Sequence, residues 1–182
     1  MRRKGGWIRV YRAHHKADTM TTVGHITEAM RDIDDEAGKN DWVLAIVDVP
    51  GVGGGVVDRL AELDLPVVPY NGGKAPIDKE RFVNARAEDY WTLRERFEQG
   101  EVDIDSDDDK LAAQLCSIKW GIDSGGRIKI ESKDDMRKRG LPSPDRADAM
   151  AMAFAGRANA APINVESRAG ESITGDLMSK AW

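Results

Sequence analysis

The stretch from Trp42 to Tyr70 constrains the fold more than any other part of the chain. It runs WVLAIVDV, turns at PGVGGG, continues as VVDRLAEL and returns as LPVVPY. The first segment carries no charged or polar side chain before Asp48, as a strand buried on both faces does, so it is predicted to be a central parallel strand. Val56 to Leu63 reads as a short helix and Leu65 to Tyr70 as a second strand. Strand, glycine turn, helix and strand make a right-handed βαβ unit, which places the chain in the α/β class.

The flanking segments extend this pattern. Trp7 to His14 alternates as a half-exposed strand does. Between Met20 and Glu36, apolar residues at Met20, Val23, Ile26, Met30 and Ile33 recur at helical spacing behind a capping candidate, Asp18 or Thr19. Asn84 to Gln99 reads as a second amphipathic helix, with Tyr90, Trp91, Leu93 and Phe97 as its buried side and Gly100 as its stop. Val102 and Ile104 alternate with acids in a short edge strand, and a helix follows from Asp107 to about Ser117. Arg127 to Glu131 is a further strand, reached through a Ser-Gly-Gly turn. Ser143 as N-cap and Pro144 as first helical residue open a last helix that runs to about Ala158. Residues 159–182 show no sustained periodicity and read as a flexible tail or docking segment, leaving 1–158 as one domain.

Composition excludes several classes of function. The 182 residues are 41% hydrophobic and carry a net charge of −5, so the chain is not one that coats nucleic acid or anionic membrane with uniform positive charge, and any DNA contact is local. Its one cysteine, Cys116, excludes an internal disulfide and points to a reducing, cytoplasmic compartment. No segment has the composition of a signal peptide or a membrane span.

Chemistry in an open α/β sheet gathers at the carboxyl ends of the strands. Asp48 stands there on the most apolar strand, and it reads either as a turn cap or as a working carboxylate. A carboxylate closing so apolar a strand is costly unless a cation or hydrogen-bond donors meet it, which favours the second reading. GVGGG lacks the Lys and Ser/Thr of a P-loop, and Val56 stands where a dinucleotide fingerprint needs its third glycine. Asp145 and Asp148 lie one above the other on the last helix, next to the apolar run AMAMAFA. Their repulsion and desolvation would be relieved by a divalent cation, although acids in a first helical turn also occur for the macrodipole alone. Lys133, Arg137, Lys138 and Arg139 precede that helix, and with Arg127 and Lys129 they form the dense basic stretch of the chain. Such a run is either a solvated face or a phosphate-positioning surface. His14 and His15 point to opposite faces of a strand and do not share a metal, and the acids at 101–109 read as a solvated edge.

Taken together and in order, IVDVPGVGGGVVDRLAELDLPVVPYNGGKAP, FVNARAEDYWTLRERFEQGEVDI, LAAQLCSIKW, RIKIESKDDMRKRG and SPDRADAMAMAFA resemble the C-terminal nuclease domain of the large terminase subunit of tailed bacteriophages. The resemblance covers about Trp7 to Ala158. It is most specific at Asn84 to Glu88, Glu131 to Gly140 and Ser143 to Ala149. It implies a ribonuclease H-like mixed β-sheet flanked by helices, with acids holding two Mg²⁺ or Mn²⁺ ions that cut double-stranded concatemeric DNA during packaging. Asp48, Asp145 and Asp148 take the positions of those acids. The partners implied are double-stranded DNA, the terminase ATPase motor, the small terminase subunit and the portal, inside a bacterial host cell.

Two departures qualify the expectation. The family's first strand, with its acid, and the ATPase motor have no counterpart in this sequence, as in an N-terminally truncated fragment or a prophage remnant. An absent central strand would leave an open edge beside Trp42 to Val49, met by partner-assisted pairing, as in a homo-oligomer, or by modest stability. A catalytically silent module that keeps the fold for DNA binding or assembly is the alternative function, and a nucleotide-binding protein resting on GVGGG alone is a third.

Overall fold

The computed structural model describes residues 2–4, 7–9, 13, 17–37 and 44–155. In chain order the elements are β1 (Arg2–Lys4), β2 (Trp7–Arg9), α1 (Thr19–Ala37), β3 (Ala45–Asp48), α2 (Gly53–Glu62), β4 (Val67–Tyr70), α3 (Ala85–Glu98), β5 (Asp103–Ile104), α4 (Asp109–Ser117), β6 (Trp120–Ile122), β7 (Ile128–Ile130), α5 (Lys133–Lys138) and α6 (Asp145–Phe154). They belong to two compact units. One holds α1 to β4, and the other holds the two N-terminal strands and everything described from Asn71 onward. The sequence readings that fall on 10–12, 14–16, 38–43 and 156–182, including His14, His15 and the tail, lie outside the described residues.

The βαβ reading is met in the smaller unit. β3 and β4 pair in parallel, with Ala45 opposite Val67 and Asp48 opposite Tyr70, and α2 connects them. Their core is Val23 and Met30 from α1, Val56, Val57 and Leu60 from α2, and Ala45 and Val67 from the strands. Asp18 caps α1 by accepting from the Thr21 amide at 2.9 Å. Met20, expected on the apolar face of α1, is 59% exposed.

The glycine turn has a steric reason. A Cβ on Gly53 would lie 1.8 Å from the Asp48 carbonyl oxygen, so only glycine lets the first turn of α2 close onto the end of β3. Gly51 sits at φ 85°, in the left-handed region that glycine reaches without strain. The glycines therefore serve chain reversal, and no phosphate is needed to explain them.

β3 departs from the central strand expected. Ala45 is buried, Ile46 and Val47 are half-buried and Asp48 is exposed. Among the described residues β4 is its single strand neighbour. Ala45, Val47 and Val49 share one face and pack on the core, while Ile46 and Asp48 share the other. The strand thus follows the two-residue period of one packed face.

In the larger unit β2 runs antiparallel to β1 and parallel to β5, a small mixed sheet. The single strand expected from Trp7 onward is therefore the second arm of a hairpin. β6 and β7 form another hairpin, and Phe82 bridges to Ile128 of β7. Tyr90 and Leu93 of α3, Leu111 of α4, and Ala147, Met150, Ala151 and Phe154 of α6 make the core. Phe97, expected to be buried, is 37% exposed.

Asn84 caps α3 by accepting from the Ala87 amide at 2.9 Å. Asn84→Ala is expected to cost about 1 kcal/mol, read as a lower urea midpoint at unchanged slope. The cap of α6 differs from expectation. Pro144, not Ser143, occupies the N-cap position and offers no side-chain hydrogen bond. Gln114 of α4, buried, accepts from the Arg146 and Ala147 amides at 2.9 and 3.1 Å and supplies the missing cap from a distance. The acids at 101–109 include one that is not solvated edge. Asp108 caps α4 through the Leu111 amide and also pairs with Arg146. No described helix is long and apolar enough to cross a membrane.

Candidate functional site

Asp148 lies in the first turn of α6, at the rim of the larger unit's core, where Ala147 and Met150 on either side are fully buried. Its side chain is 15% exposed. A carboxylate that far from water must be met by donors or counter-charge. Arg86 of α3 donates from Nε at 3.2 Å and Nη2 at 3.1 Å to Oδ1. The Tyr90 hydroxyl, one turn further along α3, donates to the same oxygen at 2.7 Å. Arg86 Nη1 reaches the Glu131 carbonyl at 2.7 Å, at the end of β7, so one guanidinium joins α3, α6 and the start of the α5 turn.

Lys133, the first residue of α5, places Nζ 2.9 Å from Asp148 Oδ2. Oδ2 is thereby paired, and it is cut off from solvent. Burial pushes the Asp148 carboxyl upward, but the Arg86 charge and the contacts from Lys133 and Tyr90 outweigh it and leave the group below its ordinary value. Asp148 is therefore ionised. Burial first, and then the Asp148 charge, raise the Tyr90 hydroxyl above its ordinary range, so it stays protonated and donates.

The other predicted residues are placed as follows. Asp145 is exposed and accepts from the Ser143 hydroxyl. Asp48 ends β3 in the smaller unit and is exposed, so the desolvation argument made for it from the apolar strand does not apply. Arg137 pairs with Asp134, Lys138 with Asp135 at 2.8 Å, and Arg139 with Glu131 at 2.5 Å. The basic stretch from 131 to 139 thus interleaves four cations with three acids. The repulsion expected between Asp145 and Asp148 is relieved at Asp148 by the protein's own Arg86 and Lys133.

Arg86, Tyr90 and the Glu131 carbonyl were not singled out by the sequence reading. Arg86 and Tyr90 stand four apart on α3, within the Asn84 to Glu88 segment and just beyond it, which is the spacing that puts two side chains on one helical face. That spacing was the available signal.

Asp148 is ionised, with Arg86 and Tyr90 on one oxygen and the Lys133 ammonium on the other, so its charge is met by the protein's own groups. Among the described residues, no group of three or more His, Cys, Asp or Glu gathers to hold a metal ion.

No protein-family model and no curated protein matches the chain. Solved structures do. The nuclease domain of the large terminase subunit of bacterial virus Sf6 is similar at TM-score 0.57 and 22% identity, covering 71% of this chain and 70% of that one. A lysine-to-alanine variant of that domain, solved with manganese, is similar at TM-score 0.58 and 21% identity, covering 71% of each. The same variant with calcium is similar at TM-score 0.57, at 21% identity and with 71% and 70% covered. The chain has the fold of a large-terminase nuclease domain.

Proposed function

We propose that this chain is a nuclease domain of the large-terminase type, a Mg²⁺- or Mn²⁺-dependent endonuclease that cuts double-stranded concatemeric viral DNA during packaging in the bacterial cytoplasm. The observation that carries the reading is the terminase-nuclease fold, with the ionised, nearly buried Asp148 in the first turn of α6. That fold's solved examples include one with manganese and one with calcium.

In this reading Asp145 and Asp148 would serve as metal ligands in the larger unit, and Asp48 as one in the smaller unit. Bound there, divalent metal would supply Lewis acidity to a phosphodiester and lower the pKa of water. The chain's own part is positional. Arg86 and Tyr90 fix the Asp148 carboxylate, and Lys133 brings a positive charge to the same place. Arg137 and Lys138 are more than two-thirds exposed, and Arg139 is one-third exposed. Exposed ion pairs are worth only about 0–1 kcal/mol, so these side chains can exchange a carboxylate for a DNA phosphate at little cost. The ATPase motor, the small subunit and the portal are the protein partners of this reading, together with a homo-oligomer.

A silent DNA-binding or assembly module is the second reading, favoured by the internal neutralisation of Asp148 by two cations. Supercoiled-plasmid cleavage separates the two. The nuclease reading expects nicking and linearisation with Mn²⁺, none with EDTA, and loss of at least a hundredfold, on the order of 3 kcal/mol of barrier, in both Asp48→Ala and Asp148→Asn. Folded, unaltered chain that leaves plasmid intact across Mg²⁺ and Mn²⁺ assigns it the silent role.

A further inference from the structure

We infer that the open edge of β6 is a docking surface for a second copy of this chain, the two β6 strands pairing antiparallel about a two-fold axis at Gly121. The inference gives the homo-oligomer named above a surface, and it does not depend on nuclease activity. β6 and β7 form an antiparallel hairpin, and the far side of β7 is covered, Ile128 exchanging backbone hydrogen bonds with Arg81 and Val83. Among the described residues β6 has β7 as its single strand neighbour. The Glu131 amide donates to the Lys119 carbonyl and the Asp123 amide to the Arg127 carbonyl, so Lys119 and Asp123 turn those groups toward β7. By the alternation of an antiparallel ladder, Trp120 and Ile122 turn their N–H and C=O groups outward. Their side chains are 54% and 60% exposed. An outward row of donors and acceptors beside exposed apolar side chains is a template for another strand.

The occupant follows from the strand itself, because Lys119, Trp120, Gly121, Ile122 and Asp123 complement their own reversed order. Laid antiparallel about Gly121, Trp120 of one copy stands opposite Ile122 of the other, and the outward backbone groups of these two residues bond to each other. An aromatic ring opposite a β-branched side chain is a favourable cross-strand pair. Lys119, exposed, stands opposite Asp123 of the other copy, a pair of opposite charge, while Asp123 keeps its partner Arg127 within its own turn. At the axis the two copies of Gly121 form a non-hydrogen-bonded pair, where Cα atoms approach to about 4.5 Å and glycine brings no side chain. Trp120 is braced against Trp91 at 5.0 Å between ring centroids, and it borders an apolar groove with Phe97, Leu115 and Ile118 that continues the surface beyond the edge. So short a strand supplies less than a standard interface, and the dimer is accordingly weak and dependent on concentration.

The test is disulfide capture in the full chain. Gly121→Cys in a Cys116→Ser background sets two thiols at the axis, within the Cα separation of about 4.4–6.8 Å that a disulfide spans. A Cβ on Gly121 meets nothing nearer than Lys129 Cε at 3.8 Å, so the substitution leaves the fold intact. Lys129→Cys in the same background is the control, an exposed position across the hairpin whose two copies would lie about 15 Å apart. Under mild oxidation Gly121→Cys is expected to form covalent dimer at least about tenfold faster than Lys129→Cys, because pairing raises the effective concentration of its thiols. Adding Ile122→Lys, which sets an ammonium opposite Trp120, should slow it to the rate of the control. Equal rates for Gly121→Cys and Lys129→Cys overturn the inference, and so does a Gly121→Cys rate that Ile122→Lys leaves unchanged. Urea denaturation confirms that each variant is folded. If Gly121→Cys is not, sedimentation carries the test. The unaltered chain must then self-associate as its concentration rises and Ile122→Lys must not, and any other result overturns the inference. Plasmid cleavage by the unaltered chain decides the nuclease reading separately, whichever way the capture falls.

Discussion

Gly53→Ala is expected to destabilise the βαβ unit by about 3 kcal/mol or more, at the upper end of what overpacking costs. The added Cβ would meet the Asp48 carbonyl oxygen at 1.8 Å and its carbon at 2.8 Å, and both are backbone atoms that no rotamer change can move. Either α2 backs away from β3, opening the layer of Val56, Val57 and Leu60, or the end of β3 shifts and takes Asp48 with it. Gly54→Ala is the matched control. Nothing lies within 4 Å of its Cβ, and it sits inside α2, where alanine gains about 0.5–1 kcal/mol over glycine. Amide hydrogen exchange of residues 44–70 distinguishes the pair. Protection should fall sharply in Gly53→Ala and hold or rise in Gly54→Ala, and equal protection in both would refute the steric account.

Asp148→Ala should cost the larger unit about 3–5 kcal/mol, because breaking a buried ion pair leaves its partner without a counter-charge. Arg86 is 17% exposed and loses two of its acceptor contacts, and the Tyr90 hydroxyl is stranded inside the core. Lys133, at 44% exposed, is rescued by water and adds little. Asp148→Asn keeps shape and one acceptor and should cost less. The two variants separate charge from packing in a urea titration at pH 7.

Acid dependence follows from the same group. The folded carboxyl titrates below its ordinary value of 3.8, so on acidification the unfolded chain takes up a proton that the folded chain refuses. The stabilisation is fully present above the ordinary value and is lost as pH falls through the folded one. Stability measured from pH 6 to pH 2.5 should therefore drop less steeply in Asp148→Asn than in the unaltered chain. Identical slopes would mean that Asp148 is not held ionised by its neighbours.

Legibility from sequence varied with the range of the interaction. The strand, glycine turn, helix and strand from Ala45 to Tyr70 follow from local apolar patterning and from glycine. So does the end of α3, where Gly100 adopts φ 70° as a helix stop does. β6 was missed because Trp120 and Ile122 are 54% and 60% exposed, so its apolar residues do not report a buried face. The six-residue α5 was missed because a charged segment of that length shows no apolar period. Its start signal was nonetheless present, since Ser132 accepts from the Asp135 amide.

The acids were legible and their company was not. Asp48 at a strand end and Asp148 at a helix start could be singled out because position within an element is a local property. What surrounds Asp148 comes from 62 residues away in Arg86 and 58 in Tyr90, and the amides of α6 are capped from 32 residues away by Gln114. Local sequence determines which segments coil, extend or reverse, because those choices depend on neighbours a few residues apart. Which charges meet inside the fold depends on the packing of whole elements, and that packing fixes Asp148 as an ionised group with one oxygen held by Arg86 and Tyr90 and the other paired with Lys133.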